Sequence, residues 1–344
     1  MKETKVIIII FNKSEFYLST CKNVCLIGFT TLVNLNKNDL RNLAGTVLFV
    51  YRLTMPLVAK YNVAGPRYTS YPTVPYWNTE QFTAVGWEHS VRQMVRPHTG
   101  ISLYIHLPFC ESMCTFCGCT KRITKNHLVE LPYIKAVLQE FEMYCELLGF
   151  APTIQQLHLG GGTPTFFSAE NLETLLAGLF TKASIHPEAE FSFEGHPNNT
   201  TETHLRTLYR NEFRRVCYGV QDYNDRVQRA IHRVQSFENV ERVTQQARAI
   251  GYTSVGHDLV FGLPFQTEAH VQHTIAQTLL LRPDRLAFYS YAHVPWIKGN
   301  GQRGYRDADL PTASEKRRQY ELGKSMLEQA GYREIGMDHF ALPS

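Results

Sequence analysis

Three closely spaced cysteines stand in Cys110-Glu111-Ser112-Met113-Cys114-Thr115-Phe116-Cys117, directly after the apolar run Ser102-Leu103-Tyr104-Ile105-His106-Leu107. Thiolates at this C-x3-C-x2-C spacing on one loop can hold three irons of a cubane cluster, whereas the usual all-protein cluster takes four cysteines. A three-thiolate site leaves one iron open to a substrate or cofactor. That turns an electron-transfer cluster into a catalytic one. A structural zinc site is the competing reading, with Cys119 or His127 as its fourth ligand. Disulfides fit poorly. The eight cysteines are spread through 344 residues, and cysteine frameworks belong to short secreted chains.

The second chemical signal is Gly160-Gly161-Gly162-Thr163-Pro164-Thr165, after a strand-like Leu157-His158-Leu159. Glycines let backbone approach a ligand without a Cβ in the way; the plainer reading is a tight turn. The run is not a G-x-G-x-x-G nucleotide fingerprint. Other polar residues end or interrupt apolar runs: Glu194, Gln221 with Asp222, and Asp258 ahead of Gly262-Leu263-Pro264. A carboxylate in an apolar strand is costly unless it is paired or hydrogen-bonded. One such group could merely tie loops together, whereas several on one rim suit a polar ligand.

The elements that must position these residues alternate. After residue 101, short apolar runs give way repeatedly to amphipathic helical patterns. Ile134, Val137, Leu138, Phe141 and Leu148 share a helical face that Gly149 stops. A helix from Ala169 has Ser168 as its N-cap. Further helices are expected near 202–211, 239–250, 268–281 and 314–330, with strands at 191–193, 216–220, 254–261 and 286–291. Strand-then-helix alternation implies a parallel sheet with helical crossovers. About six units suggest a barrel or partial barrel, whose functional groups gather at the C-terminal ends of the strands. The cysteine loop holds that position after the first strand.

Together these residues carry a resemblance. Tyr104, the three cysteines and the segment 160–163 resemble the radical S-adenosylmethionine (SAM) superfamily. Gly65-Pro66-Arg67-Tyr68-Thr69-Ser70-Tyr71-Pro72, Phe116-Cys117-Gly118-Cys119, Gly219-Val220-Gln221-Asp222 and Gly336-Met337-Asp338-His339-Phe340 narrow it to the oxygen-independent coproporphyrinogen III oxidases. The resemblance covers residues 55–344. It implies an α/β fold, a partial (β/α)6 TIM-like barrel of the radical SAM type. It implies that Cys110, Cys114 and Cys117 ligate a [4Fe-4S] cluster, and that Cys119 does not. It implies two molecules of SAM, with Tyr104, Phe116, Gly161, Gly162, Thr163, Glu194, Gln221, Arg233, Asp258 and Ala292 at SAM-binding positions. The implied reaction is oxidative decarboxylation of coproporphyrinogen III propionates to vinyls, giving protoporphyrinogen IX for haem. A reducing donor such as flavodoxin or ferredoxin, a cytoplasmic location and a monomer are implied with it. The alternatives are a haem chaperone-like relative and an inactive cluster-binding fragment. An aromatic residue in place of Cys119 would mark the chaperone.

Two departures shape the expected domains. Gly195-His196-Pro197-Asn198-Asn199 stands where many members carry Val-Asp-Pro-Arg. The family also continues past residue 344, so the core at 101–344 is expected to be truncated and to lack the usual C-terminal helical domain. On that basis SAM cleavage is expected to outlast decarboxylation. Residues 55–100 are expected to cover the barrel. Residues 1–54 show no period tying them to the barrel pattern, and Met55 is a candidate start.

Bulk properties exclude other classes. A net charge of +4 with scattered basic residues does not argue for nucleic acid. A spanning helix needs about 20 apolar residues, and the stretch 43–59 is interrupted by Arg52. The apolar run at 6–11 follows Lys2 and Lys5 but lacks a small-residue cleavage site, so it does not read as a secretory signal.

Overall fold

Several strands of this chain carry apolar and polar residues in alternation, and the sheet sorts them. In β2 (Gly100–Leu107), Ile101, Leu103, Ile105 and Leu107 are buried, while Ser102 and Tyr104 between them are half-exposed. The apolar set faces helices; the polar set shares the other face with its register partners. The computed structural model describes residues 76–294 apart from 79, 81 and 98, then 301–343, and the backbone of 8–12.

Six parallel strands form the frame: β2, β5 (Thr153–Gly161), β6 (Ser184–Gly195), β7 (Phe213–Gln221), β8 (Ser254–Phe261) and β9 (Arg285–Ser290). They lie in chain order, with helical crossovers α2 (Glu130–Leu148), α3 (Ala169–Phe180), α4 (Glu202–Arg210), α5 (Asp225–Ala230), α6 (Phe237–Ile250) and α7 (Glu268–Leu281). α1 (Ala84–Met94) precedes the frame and α8 (Ala313–Gln329) follows it. The α/β reading with a parallel sheet and about six units is the observed architecture.

Both edges are finished by antiparallel pairing. β1 (Ile8–Asn12) runs against β2 with Ile8 opposite Ile105. At the other edge β11 (His339–Ala341) pairs with β9, and β10 (Arg333–Gly336) with β11. β1 comes from the 1–54 segment, in which the sequence shows no period tied to the strands. The rest of that extension, Met55 and the 65–72 motif lie outside the described residues. Contacts divide the chain into two units, residues 1–14 with 91–344, and residues 15–90.

Local signals set the helix ends. Ser168 caps α3 by accepting from Asn171 N–H at 3.2 Å. Thr201, Thr267 and Thr312 form capping boxes at α4, α7 and α8, each satisfying donors a helix start leaves free. Gly149 and Gly251 end α2 and α6 with φ of 75° and 113°, the left-handed conformation glycine adopts without strain. Ile134, Val137 and Phe141 of α2 and Leu172, Leu175, Leu176 and Leu179 of α3 are buried in one core with the outward strand residues. A fully buried side chain of this kind contributes roughly 1.5–3 kcal/mol.

One buried carboxyl group joins the starts of α2 and α3. Glu130, at the start of α2, is 1% exposed. One of its oxygens meets His127 Nδ1 at 2.6 Å; the other accepts from Ser168 N–H (2.9 Å) and Asn171 Nδ2 (2.7 Å). Glu130→Ala would remove the buried acceptor from those donors, of which Ser168 and Asn171 are half-buried. Its expected cost is about 3 kcal/mol or more; that of Glu130→Gln, which keeps one acceptor, is about 1–2 kcal/mol. Urea unfolding compares the two, and equal loss would show that packing rather than the acceptors matters.

Candidate metal centre

The cysteine loop is fastened at several points. β3 (Phe109–Cys110) pairs in parallel with β4 (Arg122–Ile123). Arg122 N–H donates to Pro108 O at 2.8 Å and Thr124 N–H to Cys110 O at 2.9 Å. Midway, buried Thr115 donates its N–H to Ile231 O (2.9 Å) and its hydroxyl to Ala230 O (2.8 Å). Those carbonyls end α5, so that helix holds the loop at its centre. Lys121 Nζ donates to Cys117 O at 3.0 Å and Cys119 O at 3.3 Å.

The three thiols are free and half-buried, while Cys119 is exposed. Burial, then the neighbouring Cys117 and Cys114, push Cys110 up to about 12. Cys117 goes down to about 6, chiefly through a hydrogen bond with Cys119, with burial opposing. Arg233 Nη1 lies 3.8 Å from Cys114 Sγ. Among the described residues no group of three or more His, Cys, Asp or Glu is set for a single ion. A cubane takes one thiolate per iron, so its ligands stand apart. His127, the histidine of the zinc reading, is committed elsewhere: it bonds Glu130 and stacks on Phe166 at 4.5 Å. The donor set fits a cluster of the kind the spacing suggested.

The glycine run serves the loop as much as any ligand. Gly161 has φ 124°, and a Cβ there would meet Leu107 N at 2.8 Å; at Gly162 it would meet Pro108 O at 2.6 Å. Gly162 N–H donates to Leu107 O (2.9 Å) and Thr163 N–H to Phe109 O (3.1 Å). These residues therefore pack on the base of the cysteine loop. Gly160 makes room differently: a Cβ there would meet Tyr104 at 2.9 Å and Glu194 at 3.3 Å.

Above them the polar residues converge. Glu194 sits at the end of β6, 3.4 Å from Gly161 N–H and 3.5 Å from His158 Nε2. Tyr104 hydroxyl contacts His106 Nδ1 at 3.0 Å, and His106 Nε2 reaches Thr120 O at 2.7 Å. That chain links Tyr104 to the far end of the cysteine loop. Burial, then Glu194, raise the Tyr104 phenol well above its ordinary value, so it stays a neutral donor. Arg233 is oriented by Gly219 O (2.7 Å) and Gln235 Oε1 (3.1 Å). Gln221 ends β7 with φ 70°, uncommon for a non-glycine residue and typical of functional sites. Asp258, on β8, is raised to about 6, mainly by burial. Phe116 O and Ala292 O both accept from Gln302 Nε2, at 3.4 and 2.7 Å.

The ten SAM-position residues and three cysteines thus fall on the cysteine loop and on the strands, strand ends and connections around it. Asp222 does not join them: fully buried, it accepts from Gln266 Nε2 (2.7 Å) and Asn224 N–H (2.5 Å) and ties loops together. The departure at 195–199 is absorbed locally, through Asn198 to Val234 O and Arg242 to Pro197 O. His106 and Gln302 join the site without any spacing that marks them in the sequence.

Comparison with known proteins points the same way. A family described as the Radical SAM superfamily matches residues 104–277. An oxygen-independent coproporphyrinogen III oxidase of Pseudomonas aeruginosa is 36% identical over 299 residues, covering 86% of this chain and 65% of that protein. One of Salmonella typhimurium is 39% identical over 290 residues, covering 84% and 62%. A solved coproporphyrinogen III oxidase from Escherichia coli, described as a radical SAM enzyme, superposes with a TM-score of 0.77 at 37% identity, covering 84% of this chain and 64% of that one. The chain therefore spans somewhat less than two thirds of these relatives' length. Among the described residues no helix is long and apolar enough to cross a membrane.

Proposed function

We propose, for a chain that belongs to the radical SAM superfamily, the oxidative decarboxylation of coproporphyrinogen III propionates to vinyl groups, giving protoporphyrinogen IX. The observation that carries this reading is the cysteine loop seated on the strand ends with Arg233, Glu194 and Gly161 beside it. The names of the similar oxidases support the choice of substrate.

Cys110, Cys114 and Cys117 would hold a [4Fe-4S] cluster. Tyr104, Phe116, Gly161, Gly162, Thr163, Glu194, Gln221, Arg233, Asp258 and Ala292 would face two molecules of SAM. When bound, these groups supply one-electron reduction of a sulfonium and hydrogen-atom abstraction from an unactivated carbon, chemistry no side chain offers. The chain's own part is to bind and orient. Glu194 and Asp258 accept hydrogen bonds from ammonium or hydroxyl groups. Arg233, held by Gly219 O and Gln235, keeps a fixed cation beside Cys114. Tyr104 presents a hydroxyl whose direction His106 sets. A reduced electron carrier such as flavodoxin or ferredoxin, a cytoplasmic location and a monomeric state belong to the same reading. None of the described cysteines forms a disulfide, which suits a reducing compartment.

The test is anaerobic turnover with dithionite and coproporphyrinogen III, following 5′-deoxyadenosine and carbon dioxide together. Release of 5′-deoxyadenosine is the expected result, with carbon dioxide and the three- and two-propionate tetrapyrroles, resolved by chromatography from the four-propionate substrate, formed far more slowly. Release of 5′-deoxyadenosine at a rate unaffected by coproporphyrinogen III, with no carbon dioxide, would remove the substrate assignment. Tight haem binding with neither product would favour a carrier.

A further inference from the structure

We infer that Cys217 is a positioning residue for the Asp258 carboxylate, its thiol committing one oxygen so that the other is presented to a hydroxyl or ammonium donor of bound SAM. The inference rests on the proposed reading of Asp258 as a SAM contact.

Cys217 lies on β7 between two carboxylates. Glu194 of β6 is its direct register partner. Asp258 of β8 is its diagonal neighbour, since Cys217 pairs with Gly256 and Gly219 with Asp258. The thiol has one hydrogen to give, and the geometry assigns it: Cys217 Sγ lies 3.1 Å from Asp258 Oδ1. Space for the sulfur comes from the facing strand. A Cβ on Gly256 would stand 2.8 Å from Cys217 Sγ, so a larger residue there would force the thiol off its partner. Both Cys217 and Asp258 are half-buried on the polar face of the sheet.

Chemistry explains why a thiol suits the place. An ionised third group beside Glu194 and Asp258 would add repulsion. Burial, then Asp258, hold the Cys217 thiol well above its ordinary value, so it stays neutral and keeps its proton to donate. For Asp258 the bond acts in the opposite direction to burial. Its value stands at about 6 overall: burial raises it, and the Cys217 bond draws it down. Glu194 from β6 raises it further; His339 from β11 and Arg285 from β9 lower it. A carboxylate with a raised value accepts hydrogen bonds above that value and loses the ability as pH falls through it. Without the thiol its value climbs higher, so the acid limb of any binding that needs the charge moves to higher pH.

The experiment measures SAM binding by equilibrium dialysis on anaerobically reconstituted protein between pH 5.5 and 8.5, for wild type, Cys217→Ala and Cys217→Ser. Iron content and the thermal unfolding midpoint establish that each variant is folded. Cys217→Ala is expected to weaken at least one bound SAM by about tenfold, the order of one hydrogen bond to a charged group, and to shift the acid limb upward. Cys217→Ser, which keeps a donor, is expected to stay within about threefold of wild type with a smaller shift. Wild-type affinity and an unmoved limb in Cys217→Ala would overturn the inference. So would equal weakening in both variants, or a weakening that leaves the limb in place, because shape alone would then matter. Absence of SAM binding in the wild type would overturn the underlying reading of the site instead.

Discussion

Anaerobically reconstituted protein is expected to carry about four irons per chain, the content of one cubane, and to lose them in Cys110→Ala, Cys114→Ala or Cys117→Ala. Cys119→Ala is expected to keep them. The distinction rests on where the four sulfurs stand. Cys110, Cys114 and Cys117 are half-buried on a loop fixed through β3, Thr115 and Lys121, with Arg233 beside Cys114. Cys119 is exposed and serves as a hydrogen-bond partner of Cys117. Each of the three inner thiolates would hold a different iron, so losing one removes a corner of the cluster. Iron and sulfide analysis with visible sulfur-to-iron charge-transfer absorption checks all four variants. Stoichiometric zinc with no visible band would sink the cluster reading. Loss of iron in Cys119→Ala alongside the other three would make Cys119 a fourth ligand and close the open site.

How much of this could be read from the chain depends on how local the signal was. Ser168, Gly149 and Gly251 act on their own helix ends, and α3, α2 and α6 begin or end there. The 254–261 strand and the 268–281 helix match β8 and α7 in their limits, because period and boundary residues agree. The pairing of Ile8–Asn12 with β2 was not legible. A short isoleucine run states its strand preference but not its partner. The β10–β11 hairpin was met only as the motif at 336–340, although Gly336, Met337 and Asp338 all have positive φ. The site shows the same division. Polar residues at strand ends were visible from their position, whereas the Cys217–Asp258 bond needed the register of two strands to appear.

The glycine run shows what sequence position alone cannot decide, and it carries the second large effect. Gly162→Ala is expected to lose most of its iron although every cysteine is intact. The new methyl carbon would stand 2.6 Å from Pro108 O, 2.7 Å from Pro108 C and 2.8 Å from Phe109 O. All three are backbone atoms, so no side chain can swing aside. The backbone that must yield is the segment between Leu107 and Cys110, held by Gly162 N–H to Leu107 O and Thr163 N–H to Phe109 O. Overpacking of this kind typically costs about 1–3 kcal/mol. Its greater effect is positional, because a shift of about 1 Å in a reacting group can lower a rate on the order of 10²-fold. Gly118→Ala is the matched control, since a Cβ there meets nothing within 4 Å and the residue lies in the same loop. Iron retention is expected to be near wild type in Gly118→Ala and below about a quarter of it in Gly162→Ala, a loss in line with the overpacking cost. Equal retention in both would show that the base of the loop can relax. The glycines would then owe their place to the ligand, as their position on the rim first suggested.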